Sequence, residues 1–185
     1  YYQYVGAVMQ NEKCRKNIKG IAFQWAGRSA IVQANEDFPD MDFINSEMEC
    51  GNGDNSWEHA LYVYELIHHY SRFGARANVY WNMALENEGL STWGWRQNSL
   101  ISIKDGNYVF NPEFYVYKHF SHFVKRGAVM LKTTGSFSSN ATVFENPDSS
   151  RVAVIVNPFF NEKLLTVNQK NYILKPRSFN TIVLD

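Results

Sequence analysis

The sequence is poor in the features that would assign it to a narrow class. Its two cysteines, Cys14 and Cys50, are too few for a disulfide framework and lack the paired spacing of a zinc site. Charge of neither sign is in surplus, with 18 Lys and Arg against 18 Asp and Glu. No net field therefore gathers polyanions, acidic membrane surfaces or nucleic acid. No uninterrupted apolar run approaches the roughly 20 residues of a membrane-spanning helix. Tyr1-Tyr2-Gln3-Tyr4 is neither basic nor followed by a long apolar stretch, so a secretory leader is not expected at this start. Internal repeats and low-complexity tracts are lacking too. What the chain has is 45% apolar and 16% aromatic residues over 185 positions. That is enough to exclude disorder and to build a core.

All the tryptophans, Trp25, Trp57, Trp81, Trp93 and Trp95, lie between residues 25 and 95, and this asymmetry suggests two regions. In the first, short apolar runs at 18–25, 42–46 and 77–82 read as buried parallel strands. Between the second and third, Asn55 as N-cap, Glu58 three residues on, the stripe Ala60, Val63, Ile67 and Tyr70, and Gly74 as stop predict a helix and hence a βαβ unit. Residues 99–110 alternate around Asp105-Gly106, two positions that tolerate positive φ, and predict a hairpin. A second helix is expected from Pro112 to about Lys125, capped by Asn111 and closed by Lys125-Arg126-Gly127. From Gly127 onward, short strands at 129–133, 141–144, 151–156, 164–167, 171–174 and 181–184 predict a β-sandwich segment.

The carboxyl ends of parallel strands are where chemistry gathers in α/β folds. The three ends offer Gln24-Trp25, then Asn45-Ser46-Glu47-Met48-Glu49-Cys50-Gly51, then Tyr80-Trp81-Asn82. A carboxylate one step past a strand, with tryptophans at neighbouring ends, suits a sugar: aromatic faces stack on pyranose C–H groups while the carboxylate meets the anomeric carbon. These residues argue for glycoside chemistry.

Five ordered motifs sharpen this: Lys19-Gly-Ile-Ala-Phe-Gln-Trp25, Ser46-Glu-Met-Glu-Cys-Gly-Asn-Gly53, Tyr80-Trp-Asn-Met-Ala-Leu85, Ser91-Thr-Trp-Gly-Trp-Arg-Gln-Asn-Ser99, and Asn111-Pro-Glu-Phe-Tyr-Val-Tyr-Lys-His-Phe-Ser-His-Phe123. In this order they resemble the C-terminal portion of glycoside hydrolase family 30, which includes acid glucosylceramidase and β-1,6-glucanases. The resemblance implies an α/β fold: the C-terminal part of a (β/α)8 TIM barrel, strands six to eight, over residues 1–126, followed by an antiparallel β-sandwich segment over 127–185. It implies a retaining β-glycoside hydrolase acting on a β-glucosyl compound or a β-1,6-glucan, with Glu47, preceded by the small Ser46, as catalytic nucleophile. A retaining β-glycosidase of this kind is expected to use no metal or organic cofactor. Trp81 matches the family's sugar-stacking tryptophan, and Gln24 with Trp25, and Trp93 with Asn98, are expected as further substrate contacts. Members of the family are more often secreted, periplasmic or lysosomal than cytoplasmic.

The family's acid/base glutamate sits in an Asn-Glu dipeptide on the fourth strand. Asn11-Glu12, Asn35-Glu36, Asn87-Glu88 and Asn161-Glu162 all occur, yet none follows a candidate fourth strand. The expected partner is therefore the N-terminal half of the same enzyme, and the chain alone is expected to be inactive. Plainer readings stand beside these. Glu49 is the natural misassignment for the nucleophile, with hydrogen bonding in the loop as its expected role. Trp57 and Trp95 read as structural. His68-His69 and the helical pair His119 and His122 lack a third ligand at metal spacing. The rival of another class is a non-catalytic carbohydrate-binding or interaction module, in which the sandwich binds glycans and the partial barrel is scaffold.

Overall fold

A computed structural model describes residues 1–184, with Asn87 described for its backbone alone. The fold is mixed α and β, and the chain packs as two compact units, Tyr1–Asn111 and Pro112–Asp185.

The first unit opens with α1 (Tyr2–Met9) and α2 (Glu12–Asn17). The Asn11 carboxamide caps α2 by accepting from the N–H groups of Lys13 and Cys14. There follow β1 (Gly20–Gln24), a 3₁₀ turn (Trp25–Ser29), α3 (Ala30–Asp37), β2 (Asp42–Glu47), α4 (Trp57–Arg72) and β3 (Ala75–Asn78). The three strands make a parallel sheet in the order β1-β2-β3, which delivers the expected βαβ unit. Phe23 and Phe43 meet edge-on at 5.7 Å, in a core completed by Ile31 and Ala34 of α3 and by Ala60, Val63, Ile67 and Tyr70 of α4. The α4 stripe is the one its sequence period marks. On the other face of the sheet Ala22, Ile44 and Ala77 stay exposed.

Several boundaries differ from the sequence reading, each for a local reason. The cap of α4 is Ser56, whose Oγ accepts from His59 N–H at 3.1 Å. Asn55 instead turns at φ +43 and accepts from Ser99 N–H at 3.0 Å. The first strand begins at Gly20 because Ile18 is still bonded to Cys14 as the end of α2. The third spans 75–78 rather than 77–82: Gly74, at φ +88, lets extension start at once. At its far end Asn82 and Met83 pair with Leu100 and Ile101 instead of with β2. That pairing leads into β4 (Ala84–Leu85), parallel to β5 (Ile101–Lys104), which forms the expected hairpin with β6 (Asn107–Phe110). Its turn has Asp105 at φ +51 and Gly106 at φ +73, the conformation an Asp-Gly pair favours.

The second unit consists of α5 (Pro112–Phe123), β7 (Val129–Leu131), β8 (Ala141–Glu145), β9 (Arg151–Asn157), β10 (Lys163–Val167), β11 (Lys170–Leu174) and β12 (Ser178–Leu184). Four strands form an antiparallel sheet in the order β12-β9-β8-β7, and β10 and β11 form a hairpin. Residues 152–156 of β9 are all buried, the signature of a strand covered on both faces. Ala153 and Ile155 pack with Leu174, and with Leu165 and Tyr172, from the hairpin. Elsewhere α5 packs on β9 and β12, with His119 Nδ1 hydrogen-bonded to Thr181 Oγ1 at 2.7 Å.

Candidate active site at the carboxyl ends of the parallel strands

The β1–β2 ladder pairs Phe23 with Asn45 but Gln24 with Glu47, so Ser46 is the extra residue of a β-bulge. A bulge bends a strand and re-aims its end, and bulges concentrate beside active sites. The hydroxyl of Ser46 donates to the Phe23 carbonyl at 3.3 Å, closing the bulge onto β1. Asn45 is fully buried. Its carboxamide donates to the backbone carbonyls of Glu47 at 3.0 Å and Phe23 at 3.2 Å. Its own carbonyl accepts from Val79 N–H at 2.9 Å, so one residue ties the three strands together just before Glu47. From the sequence alone Asn45 is only part of a strand end. Its signal was a carboxamide inside an apolar strand with no turn to serve.

Glu47 is half-buried, and its Oε1 accepts a hydrogen bond from the indole Nε1–H of Trp25. Trp25 heads the 3₁₀ turn in the left-handed region, at φ +48, and keeps its ring 41% exposed. Gln24 is exposed beside it. The structure therefore joins Glu47, Trp25 and Gln24 at one sheet end.

Glu49 is held differently. The Tyr62 hydroxyl on α4 bonds to the Glu49 carboxylate and accepts in turn from Arg28 Nη1, whose guanidinium lies 5.5 Å from the Tyr62 ring centre. Burial, followed by that bond and the Glu49 charge, pushes the Tyr62 hydroxyl up to about 12 against the pull of Arg28. Burial and the same charge raise Tyr70 to about 12. A cleft of about 370 Å³ opens here, lined by Glu49, Gly51, Asn52, Asp54, Glu58, His59 and Tyr62. Burial lowers the His59 pKa, while Asp54 and Glu49 oppose the shift. For Asp54, burial pushes the pKa up, but bonds from Asn98 and Ser56 and the nearby His59 together hold it below its usual range.

Asn98 is also fully buried. Its Oδ1 accepts from Gly53 N–H at 2.6 Å and its Nδ2 donates to Asp54 at 3.1 Å, so its carboxamide holds the loop that follows Glu47. That loop depends on glycine at Gly51, which has φ +64 and where a Cβ would sit 2.4 Å from Asn98 Oδ1. Trp81 is 40% exposed, two residues beyond Val79, whose carbonyl accepts from Met48 N–H at 3.1 Å. Trp93 lies on a separate loop and stacks at 5.4 Å on Trp95, which also faces solvent. Among the described residues, no three His, Cys, Asp or Glu side chains converge as a metal site. Histidines are used locally, as in the 2.8 Å contact of His69 Nε2 with the Arg28 carbonyl.

No family model matches the chain. Endo-1,6-beta-D-glucanase neg1 of Aspergillus fumigatus is 33% identical over 95 residues, which is 48% of this chain and 20% of that protein. Among solved structures, the endo-beta1,6-glucanase BT3312 superposes with a TM-score of 0.82 at 20% identity, over 97% of this chain and 43% of its own. The catalytic domain of GH30 xylanase C from Talaromyces cellulolyticus gives 0.68 at 16% identity, over 96% of this chain and 48% of its own. The chain thus spans a fifth of that curated relative and under half of these solved structures. In fold and in sequence similarity, this chain resembles the C-terminal portion of glycoside hydrolase family 30.

Proposed function

We propose that the chain is the nucleophile-bearing C-terminal part of a retaining β-glycoside hydrolase whose substrate is a β-linked glucan, with β-1,6-glucan favoured by the glucanase relatives. The observation that carries this reading is Glu47, a carboxylate set at the end of the middle parallel strand by a bulge and held by a neighbouring tryptophan. In the retaining mechanism its free oxygen attacks the anomeric carbon and forms a glycosyl ester. A second carboxyl about 5 to 5.5 Å away protonates the leaving oxygen and then activates water. Trp81 serves as the sugar platform and Gln24, Trp25 and Trp93 as further sugar contacts, whereas Asn98, expected from sequence as another, is fully buried and instead holds the loop beyond Glu47.

The second carboxyl comes from an N-terminal half that supplies the remaining strands of a (β/α)8 barrel. In this reading residues 1–126 contribute strands six to eight and residues 127–185 part of a side β-sandwich. Two features support it: β1 pairs only with β2 among the described strands, and the exposed Ala22, Ile44 and Ala77 leave an apolar sheet face open. By itself the chain is inactive. The test is to co-express it with such an N-terminal half and measure hydrolysis of an aryl β-glucoside and of β-1,6-glucan, with Glu47→Gln as control. Turnover that disappears in Glu47→Gln supports the reading, whereas activity surviving that change overturns it. Glycan binding without turnover would favour a non-catalytic carbohydrate-binding module instead.

A further inference from the structure

Trp25 has a feature that sugar stacking does not require. An indole used only as a platform presents its face to the ligand and has no need of a protein acceptor for its N–H. Here the N–H is spent on Glu47 Oε1. The backbone is also committed, because Trp25 adopts φ +48, a conformation costly for a non-glycine residue and kept where surrounding structure enforces it. The enforcing contacts are visible on the same 3₁₀ turn. Arg28, three residues on, donates through Nη1 to Tyr62 OH, lies against the Tyr62 ring, and offers its carbonyl to His69 Nε2 at 2.8 Å. Tyr62 and His69 both belong to α4, the helix behind β2, so the turn bearing Trp25 is latched to the same scaffold that carries Glu47.

We propose that Trp25 is a positioning residue for Glu47, its indole N–H fixing one carboxylate oxygen so that the other is presented for attack, with the Arg28–Tyr62 latch holding Trp25 in place. The inference rests on Glu47 being the nucleophile. A donated hydrogen bond to a carboxylate both orients it and takes up one lone pair, which leaves Oε2 as the nucleophilic oxygen. The attack then forms the bond from Oε2 to the anomeric carbon as the bond to the leaving oxygen breaks. Trp25 gains and loses no proton in this step. Tyr62 acts at one remove, by restricting the turn.

The test separates donation from stacking. In the co-expressed assembly, Trp25→Phe keeps an aromatic face and removes the N–H. The expected result is a fall in kcat of roughly 10- to 100-fold, the scale of a lost hydrogen bond to a charged group, with KM within about twofold. The slowed step is formation of the glycosyl-enzyme, read as slower inactivation by a 2-fluoro glycoside. Tyr62→Phe, which removes the hydroxyl of the latch, is expected to lower kcat in the same sense but less. A Trp25→Phe variant with unchanged kcat, or with only KM raised, overturns the proposal while leaving the nucleophile assignment intact. Activity retained by Glu47→Gln overturns the nucleophile assignment itself. A second readout uses the same assembly with this chain ¹⁵N-labelled: the indole resonance that Trp25→Phe deletes is expected to move when Glu47 is replaced by Leu. An unmoved resonance shows that no such bond is made and refutes the proposal independently of turnover.

Discussion

Replacing Asn98 with alanine tests the loop geometry beside Glu47 without any need for activity. The side chain is fully buried, accepting from Gly53 N–H at 2.6 Å and donating to Asp54 Oδ1 at 3.1 Å. Truncation removes both, at about 1 kcal/mol each, and strands the Gly53 N–H, so a loss of about 2–3 kcal/mol is expected. The backbone bond from Asn98 N–H to the Cys50 carbonyl at 2.6 Å survives, which confines the effect to the loop. Urea unfolding gives the stability change, and amide hydrogen exchange localises it, with faster exchange expected at residues 50–54. Asn98→Asp should be at least as damaging near neutral pH, because it replaces a donor to Asp54 with a second carboxylate. A loss below about 0.5 kcal/mol with unchanged exchange would refute the claim that Asn98 clamps this loop.

Two further outcomes are expected. Burial lowers the pKa of His59, His68 and His119 below 6.5, so the unfolded chain takes up protons before the folded one does. Stability should therefore fall as pH drops from about 7 to about 5, above the range where carboxylates titrate, and thermal unfolding at the two pH values checks the sign. Gly89→Ala places a Cβ 2.1 Å from the Gln97 carbonyl at a position with φ +76. It should break the 2.9 Å bond from Gln97 N–H to the Gly89 carbonyl and expose the Trp93–Trp95 loop to proteolysis, while an Ala variant cleaved no faster than the parent would contradict that reading.

What the sequence reveals is what local periodicity and turn chemistry encode. The α4 stripe, the Asp105-Gly106 turn and the strands beyond Gly127 follow from spacing alone. Hidden features depend on the partner a residue meets. Asn55 and Ser56 are both good caps, and Ser99 N–H, 44 residues away, decides between them by engaging Asn55. Beyond Val79 the chain leaves β2, and Asn82 and Met83 pair with Leu100 and Ile101, a contact no window contains. At the candidate site, the sequence pointed to Glu47 through its strand-end position. It could not show that Ser46 bulges, that Asn45 fastens three strands, or that Trp25 turns its N–H toward Glu47, because all three are tertiary facts.

The proposed function requires that Glu47 become covalently bound to sugar. The most direct measurement is to treat the co-expressed assembly with a 2-deoxy-2-fluoro-β-glucosyl fluoride, digest it, and locate the modified peptide by mass spectrometry. The expected result is one adduct on Glu47, lost in Glu47→Gln. An adduct on Glu49, or steady turnover with no adduct on this chain, would contradict the account.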